Sequence, residues 1–287
     1  MGRGMEKRGI MSMATGNRSI TIPGVSLILI TAGALLPPSS GPLLFAQDST
    51  VIEPSTQKEA APDVNRLLEK LDELFESKGT VAQVEITIVK PKKTRTLRLR
   101  SWSKGEDKVL FVIESPARDA GVATLKVGVN LWYYLPKISR TIRVPPSMMM
   151  GSWMGSNLTN DDIVRESSYR DDYTSQLLGR SADPPGWKIQ LIARPDAVGL
   201  WNRIEMVFSY ETELPVQAQF FDRKDRLSRT MQFEEVKMMG GRLIPTVITV
   251  VPEREEGEST ELRYNKVEFD AEVDESMFSL SHLERKR

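Results

Sequence analysis

The chain of 287 residues contains no cysteine. That excludes disulfide staples, thiolate-bound metal and a cysteine nucleophile, so the core alone must hold the fold together. Histidine is nearly as scarce. The one copy, His282, lies within the last six residues, where a solvated side chain is the ordinary outcome. A Cys/His arrangement is therefore unavailable and no convincing Ser/His/Asp arrangement offers itself, and the chain reads as a non-enzyme without a cofactor. Basic and acidic residues balance at 39 each, so the cationic excess that marks nucleic-acid binders is missing. The adjacent acids Asp161-Asp162 and Asp171-Asp172 could offer oxygen ligands to calcium, but neither follows the spaced acidic loop of such a site. Asp161 reads instead as an acid in the first turn of a helix, and no metal is expected.

Long apolar runs are also lacking. The longest, VSLILITAGALL from 25 to 36, has twelve residues where a bilayer span needs about 20. Arg3, Lys7, Arg8 and Arg18 precede it, Pro37-Pro38 closes it, and small and turn-forming residues lead to LFAQ. This is the layout of a secretory signal. We expect residues 1–46 to be removed after Ala46, with Met11 or Met13 open as alternative starts. Cleavage would leave 35 basic and 38 acidic residues, a net charge of −3. With no cysteine to carry lipid at the new N-terminus, the expected product is a soluble monomer in the periplasm or outside the cell.

Residues 47–62 are polar and contain proline, as a flexible leader does. A helix of about 13 residues is expected next. Asp63 is its candidate cap, Leu67, Leu68, Leu71, Leu74 and Phe75 recur on one face, and Lys78-Gly79 ends it. Most of the remainder reads as strand. Ala82, Val84, Ile86 and Ile88 alternate with polar residues, as do Leu97 and Leu99, and KVLFVIE (108–114) is apolar on both faces, so both should be covered. Further strands are expected at 122–130, 131–136, 140–144, 187–193, 203–210, 215–221, 229–236, 243–251, 259–269 and 274–280. Short spacing and turns such as Asp183-Pro184-Pro185-Gly186 argue for a single domain over 63–280, mainly β, with ten or eleven antiparallel strands and a tail over 281–287. A twisted sheet of that size curls, and its inner face must be filled, closed or occupied. One or two helices cover only part of it.

The stretch RVPPSMMMGSWMGSNLTNDDI (143–163) supplies a second cover. It holds four of thirteen methionines, and its prolines and glycines forbid a regular helix or central strand. Methionine repacks around varied apolar shapes. Met148, Met149, Met150, Trp153 and Met154 therefore read either as the adaptable mouth of a cavity or as a permanent plug. On a neighbouring surface, Arg95, Arg98, Arg100, Arg140 and Arg143 form a candidate outward basic band.

LWYYLP (131–136) and MGSNLTNDDI (154–163) together resemble the LolA-like family of outer-membrane lipoprotein-sorting proteins. The matching positions are Trp132, Tyr134, Pro136, Arg140, Arg143, Gly155, Ser156, Asn157, Leu158, Thr159 and Asp162. The resemblance extends more loosely over 63–280. It implies an incomplete antiparallel β-barrel, a half-barrel closed by an amphipathic helix and a loop lid over an apolar cavity for acyl chains. It also implies a carrier that receives lipid or lipoprotein from an inner-membrane transporter and passes it to an outer-membrane acceptor. Related branches accompany RND-type exporters, so a sensor, adaptor or exporter accessory is the alternative. The candidate cavity or mouth comprises Leu67, Leu71, Leu74, Val84, Ile86, Leu97, Leu99, Trp132 and Tyr134 with the five residues of the Met/Trp stretch. In the family an arginine before a strand-end proline latches the lid. Here Ser115 occupies that position, and Arg118 is the nearby candidate substitute.

Overall fold

A computed structural model describes residues 61–285 except Phe75, 165–168 and 196–200. The expected signal segment and nearly all of the leader lie outside the described residues, as does Phe75. All described residues belong to one compact unit, Lys58–Arg287.

The core of the unit is a single antiparallel sheet of 13 strands. Six run outward in chain order: β1 (Thr80–Lys90), β2 (Lys93–Lys104), β3 (Lys108–Ser115), β4 (Ala123–Val127), β5 (Asn130–Leu135) and β6 (Arg140–Arg143). Seven more return: β7 (Tyr173–Ala182), β8 (Pro185–Ala193), β9 (Arg203–Phe208), β10 (Pro215–Phe221), β11 (Leu227–Met239), β12 (Arg242–Pro252) and β13 (Ser259–Phe269). The order is β6-β5-β4-β3-β2-β1-β13-β12-β11-β10-β9-β8-β7. The chain therefore meanders to one edge, crosses to the other, and meanders back until β13 pairs with β1. The sheet stays open, an incomplete barrel whose two edges, β6 and β7, are consecutive in sequence. The stretch 144–172 must run between them, which is why the loop lies across the sheet.

Alternation sets the two faces. On β1 and β2 the residues Val84, Ile86, Leu97 and Leu99 are buried on the inner face, and Val84 lies opposite Leu99 as Ile86 lies opposite Leu97. The strand β3 is covered on both sides, as its sequence demands. Phe111 and Ile113 join the inner cluster, while Leu110 and Val112 pack outward with Val273, Phe278 and Leu283.

Helix α1 (Val64–Glu73) starts where expected, with the Asp63 carboxylate accepting from the Asn65 N–H at 2.9 Å. It is shorter than expected, ten residues, because the chain must turn before Gly79 to enter β1. Leu67 and Leu68 are fully buried against β8, β9 and β10, each contributing about 1.5–3 kcal/mol. Three shorter helices follow: α2 (Asn160–Val164), α3 (Tyr169–Asp172) and α4 (Leu280–Glu284).

Three expectations need correction. The sheet has 13 strands rather than ten or eleven. Residues 274–280 are not a strand but a 3-10 turn, Glu275–Phe278, leading into α4, with Asp274 and Ser279 as caps. They cover the outer face of β3–β5 instead of extending the sheet. The strand β7 went unforeseen because the adjacent Leu177-Leu178 breaks period-two alternation, at a register shift before Gly179, whose φ is +114°. Among the described residues no helix is long and apolar enough to cross a membrane.

Candidate functional site

The inner face carries a cavity of about 290 Å³. Its floor comes from β1, β2, β3 and β10–β13, through Val84, Ile86, Leu99, Phe111, Phe220, Met231, Phe233, Ile248, Leu262 and Tyr264. Its roof comes from the crossover, through Trp153, Leu158, Asp162, Ile163 and Tyr169, with Trp201 at one side. The lining is apolar apart from Ser101, the Tyr hydroxyls and one ion pair. Burial pushes the phenol of Tyr264 up to about 12, so it stays neutral.

The roof is a folded object held by identifiable bonds. Ser152 and Thr159 face each other as an antiparallel bridge, and the Trp153 N–H donates to the Leu158 carbonyl at 2.7 Å. Gly155 takes φ +81° at the tip, a left-handed conformation suited to glycine. Ser156 is buried and donates its hydroxyl to the Trp153 carbonyl at 2.6 Å. Thr159 and Asp162 form a capping box at the start of α2. The Asp162 N–H donates to Thr159 Oγ1 at 3.1 Å, and the Thr159 N–H donates to Asp162 Oδ2 at 2.8 Å.

Other bonds tie this roof to the sheet. Trp153, 2% exposed, packs on Phe111 with ring centroids 5.7 Å apart and donates Nε1 to Thr124 Oγ1 at 3.3 Å. Asn157 exchanges hydrogen bonds with Thr260 on β13, at 2.9 and 2.8 Å. Arg95 donates to the Met154 carbonyl at 3.2 Å and pairs with Asp119 at 3.0 Å. Tyr133 on β5 donates to Asn160, whose amide in turn reaches the Met148 carbonyl at 3.0 Å.

The strongest tie is the pair Asp162–Arg229. The guanidinium of Arg229, on β11, grips both carboxylate oxygens at 2.6 Å. Its faces are covered by Trp201 and Phe220, each centroid 4.6 Å away. Burial opposes ionisation of Asp162. The Arg229 guanidinium and the Thr159 N–H and hydroxyl outweigh it and hold the carboxyl below the usual range. Arg229 Nε finds no acceptor among the described residues. The arrangement is a charged latch set into an apolar box.

Of the residues singled out in the sequence, Val84, Ile86, Leu99 and Trp153 line the cavity. Leu97, Leu74 and Met154 pack in the same inner cluster without lining it, and Leu71 lies between that cluster and the one under α1. Leu67 belongs wholly to the packing under α1. Trp132 and Tyr134 lie on the outer face with Phe278 and Leu283. Met149 packs against the cluster of Leu131 and Val144, whereas Met148 and Met150 are 58% and 55% exposed. Among the motif positions, Gly155, Ser156, Asn157, Thr159 and Asp162 build and anchor the roof, and Pro136 packs near Gly121. Arg118 reaches Asp119 rather than the roof. Arg229 was missed. The signal was available in LSRTMQF, where Arg229 shares an inward strand face with Met231 and Phe233. His282 sits in α4, which packs on the outer face. Among the described residues no cluster of three or more His, Asp or Glu could hold a metal ion.

This open, incomplete barrel is a fold that solved structures share. A DUF1329 family protein from Desulfovibrio piger is 24% identical with TM-score 0.68, covering 76% of this chain and 96% of its own. A LolA superfamily protein from Nitrosomonas europaea is 24% identical with TM-score 0.64, covering 77% and 100%. A domain described as a putative outer membrane lipoprotein-sorting protein from Vibrio parahaemolyticus is 20% identical with TM-score 0.66, covering 78% and 100%. A family model described as an uncharacterized protein matches residues 105–285, more than half of the sequence, and the chain belongs to that family, with the LolA-like fold its motifs suggested. No curated protein matches the sequence.

Proposed function

We propose that the chain is a periplasmic carrier that shields an acyl chain of a lipid or lipoprotein in the inner cavity and moves it towards the outer membrane without chemistry of its own. The observation that carries this reading is an apolar cavity left open beneath a roof that the crossover forms over it. The crossover is anchored by buried Trp153 and Leu158 and is joined to the sheet by a set of polar ties, Asp162–Arg229, Asn157–Thr260 and Arg95 to the Met154 carbonyl. Those polar ties are bonds that water can replace when the roof lifts.

Magnitudes fit. The cavity of about 290 Å³ lies just below the ligand-pocket range of about 300–1,000 Å³, so the closed form admits part of one chain and more requires the roof to move. Burying about ten methylenes contributes roughly 8 kcal/mol, on the scale of a micromolar Kd before the cost of fixing the chain. The fold shared with lipoprotein-sorting proteins and the N-terminal signal pattern support the periplasmic setting, with an inner-membrane donor and an outer-membrane acceptor as partners.

Tryptophan fluorescence tests the reading. Trp153 and Trp201 both line the cavity, so a fatty acid brominated at mid-chain should quench them strongly, and Trp153→Phe should remove part of the quenching. Quenching no greater than that by free bromide ion would refute it.

A further inference from the structure

We propose that the β6 edge of the sheet, with the β5–β6 hairpin turn and the methionine turn beside it, forms a rim that docks edge-on onto anionic phospholipid bilayers, Arg140 and Ile142 lying on its inner side and Arg143 on its outer side. Of the five arginines in the candidate basic band, three are neutralised: Arg95 by Asp119, Arg98 by Glu85 and Arg100 by Glu114. Arg140 and Arg143 have no carboxylate partner among the described residues, and neither has Lys137 in the hairpin turn. Arg143 donates to the Asn130 side chain instead. The carboxylate that does reach β6, Glu284, accepts from the Thr141 hydroxyl. Three cations without a carboxylate partner among the described residues thus fall within seven residues, in a chain whose charges balance overall at 39 each.

Exposed apolar side chains stand among them. Ile138 is 58% exposed and Ile142 46%. Ile142 lies opposite Tyr133 on the strand pair, on the face where Tyr133, Asn160 and Met148 are linked by hydrogen bonds. This brings exposed Met148 and Met150 to the same rim. Apolar side chains interleaved with cations suit the bilayer interface, where the first enter the acyl boundary and the second meet phosphate.

A second exposed apolar group, Val236, Met238 and Leu243, lacks this charge, because Lys237 pairs with Glu235 and Arg242 with Asp270. A strand-adding acidic peptide fits the hairpin less well. The edge strand β6 has four residues and runs into Pro145-Pro146, which have no N–H to donate. The inference goes beyond the carrier reading and does not depend on what fills the cavity.

Vesicle flotation with the full chain tests it, using phosphatidylglycerol–phosphatidylcholine vesicles against phosphatidylcholine alone. Binding to the anionic vesicles, weakened by salt, is expected. K137Q/R140Q/R143Q should reduce it about a hundredfold with an unchanged thermal midpoint. M148S/M150S should weaken binding while leaving its salt dependence in place. Equal binding to both vesicles, or full binding by the triple variant, would overturn the proposal. Failure to bind either vesicle would also overturn it. Cavity quenching by brominated fatty acid, measured on the same triple variant, separates this outcome from failure of the carrier reading.

Discussion

At the scale of single residues, Asp162 has two roles at once. It closes the capping box of α2 and clamps Arg229, so one carboxylate both shapes the roof and fastens it. Removing it leaves a guanidinium buried without its partner, which costs more than the pair contributes when intact. We expect Asp162→Ala to lower stability by about 3 kcal/mol and to speed hydrogen exchange across 151–163 beyond any global effect. Arg229→Met should restore part of the stability in that background. The sign of the pH dependence follows from the carboxyl's depressed pKa. Its contribution is complete above the unfolded value near 4 and is lost as pH falls through the lower folded value. Corrected exchange of the roof should therefore be flat between pH 5 and 8 and rise only under stronger acid. On the carrier reading, protonation of Asp162 does not open the roof at neutral pH, and ligand or partner contacts are expected to do so.

At the scale of elements, the crossover divides into parts with different tasks. Trp153 is the buried anchor, and Trp153→Ala should cost about 3–5 kcal/mol, read by chemical denaturation. Met148 and Met150 are exposed, and changing both to Ser should shift stability by no more than about 0.5 kcal/mol each. The sequence therefore offered a correct place for the roof and an uneven guide to its residues. Strands were legible wherever one face was buried, since alternation records burial directly. The break at Leu177-Leu178 hid β7. The C-terminal 274–280 misled because a short apolar segment packs equally well as a strand or as a turn on a sheet's outer face. Trp132 and Tyr134, expected at the cavity, lie on the outer face instead, because β5 is covered on both sides and alternation then says which residues are together, not which way is inward. The pair Asp162–Arg229 joins residues 67 positions apart. No local pattern registers such a contact, although an arginine alternating with Met231 and Phe233 marks an inward charge that must find a partner.

At the scale of the molecule, the order of strands explains why this fold suits a carrier. Consecutive strands β6 and β7 sit at opposite edges of an open sheet, so a single crossover spans the inner face and becomes its cover without any added domain. Helix α1 packs over β8–β10 through Leu67 and Leu68, whereas the crossover joins the buried anchors Trp153 and Leu158 to a set of polar ties, and the cavity lies beneath it. The central claim is that this cavity carries an acyl chain, and native mass spectrometry of the exported protein, purified without detergent, tests it most directly. The account predicts a population heavier by one acyl-bearing molecule, increased when the crossover is loosened by Asp162→Ala. A single unliganded mass, unchanged after incubation with phospholipid and in that variant, would contradict it and mark the crossover as a permanent plug.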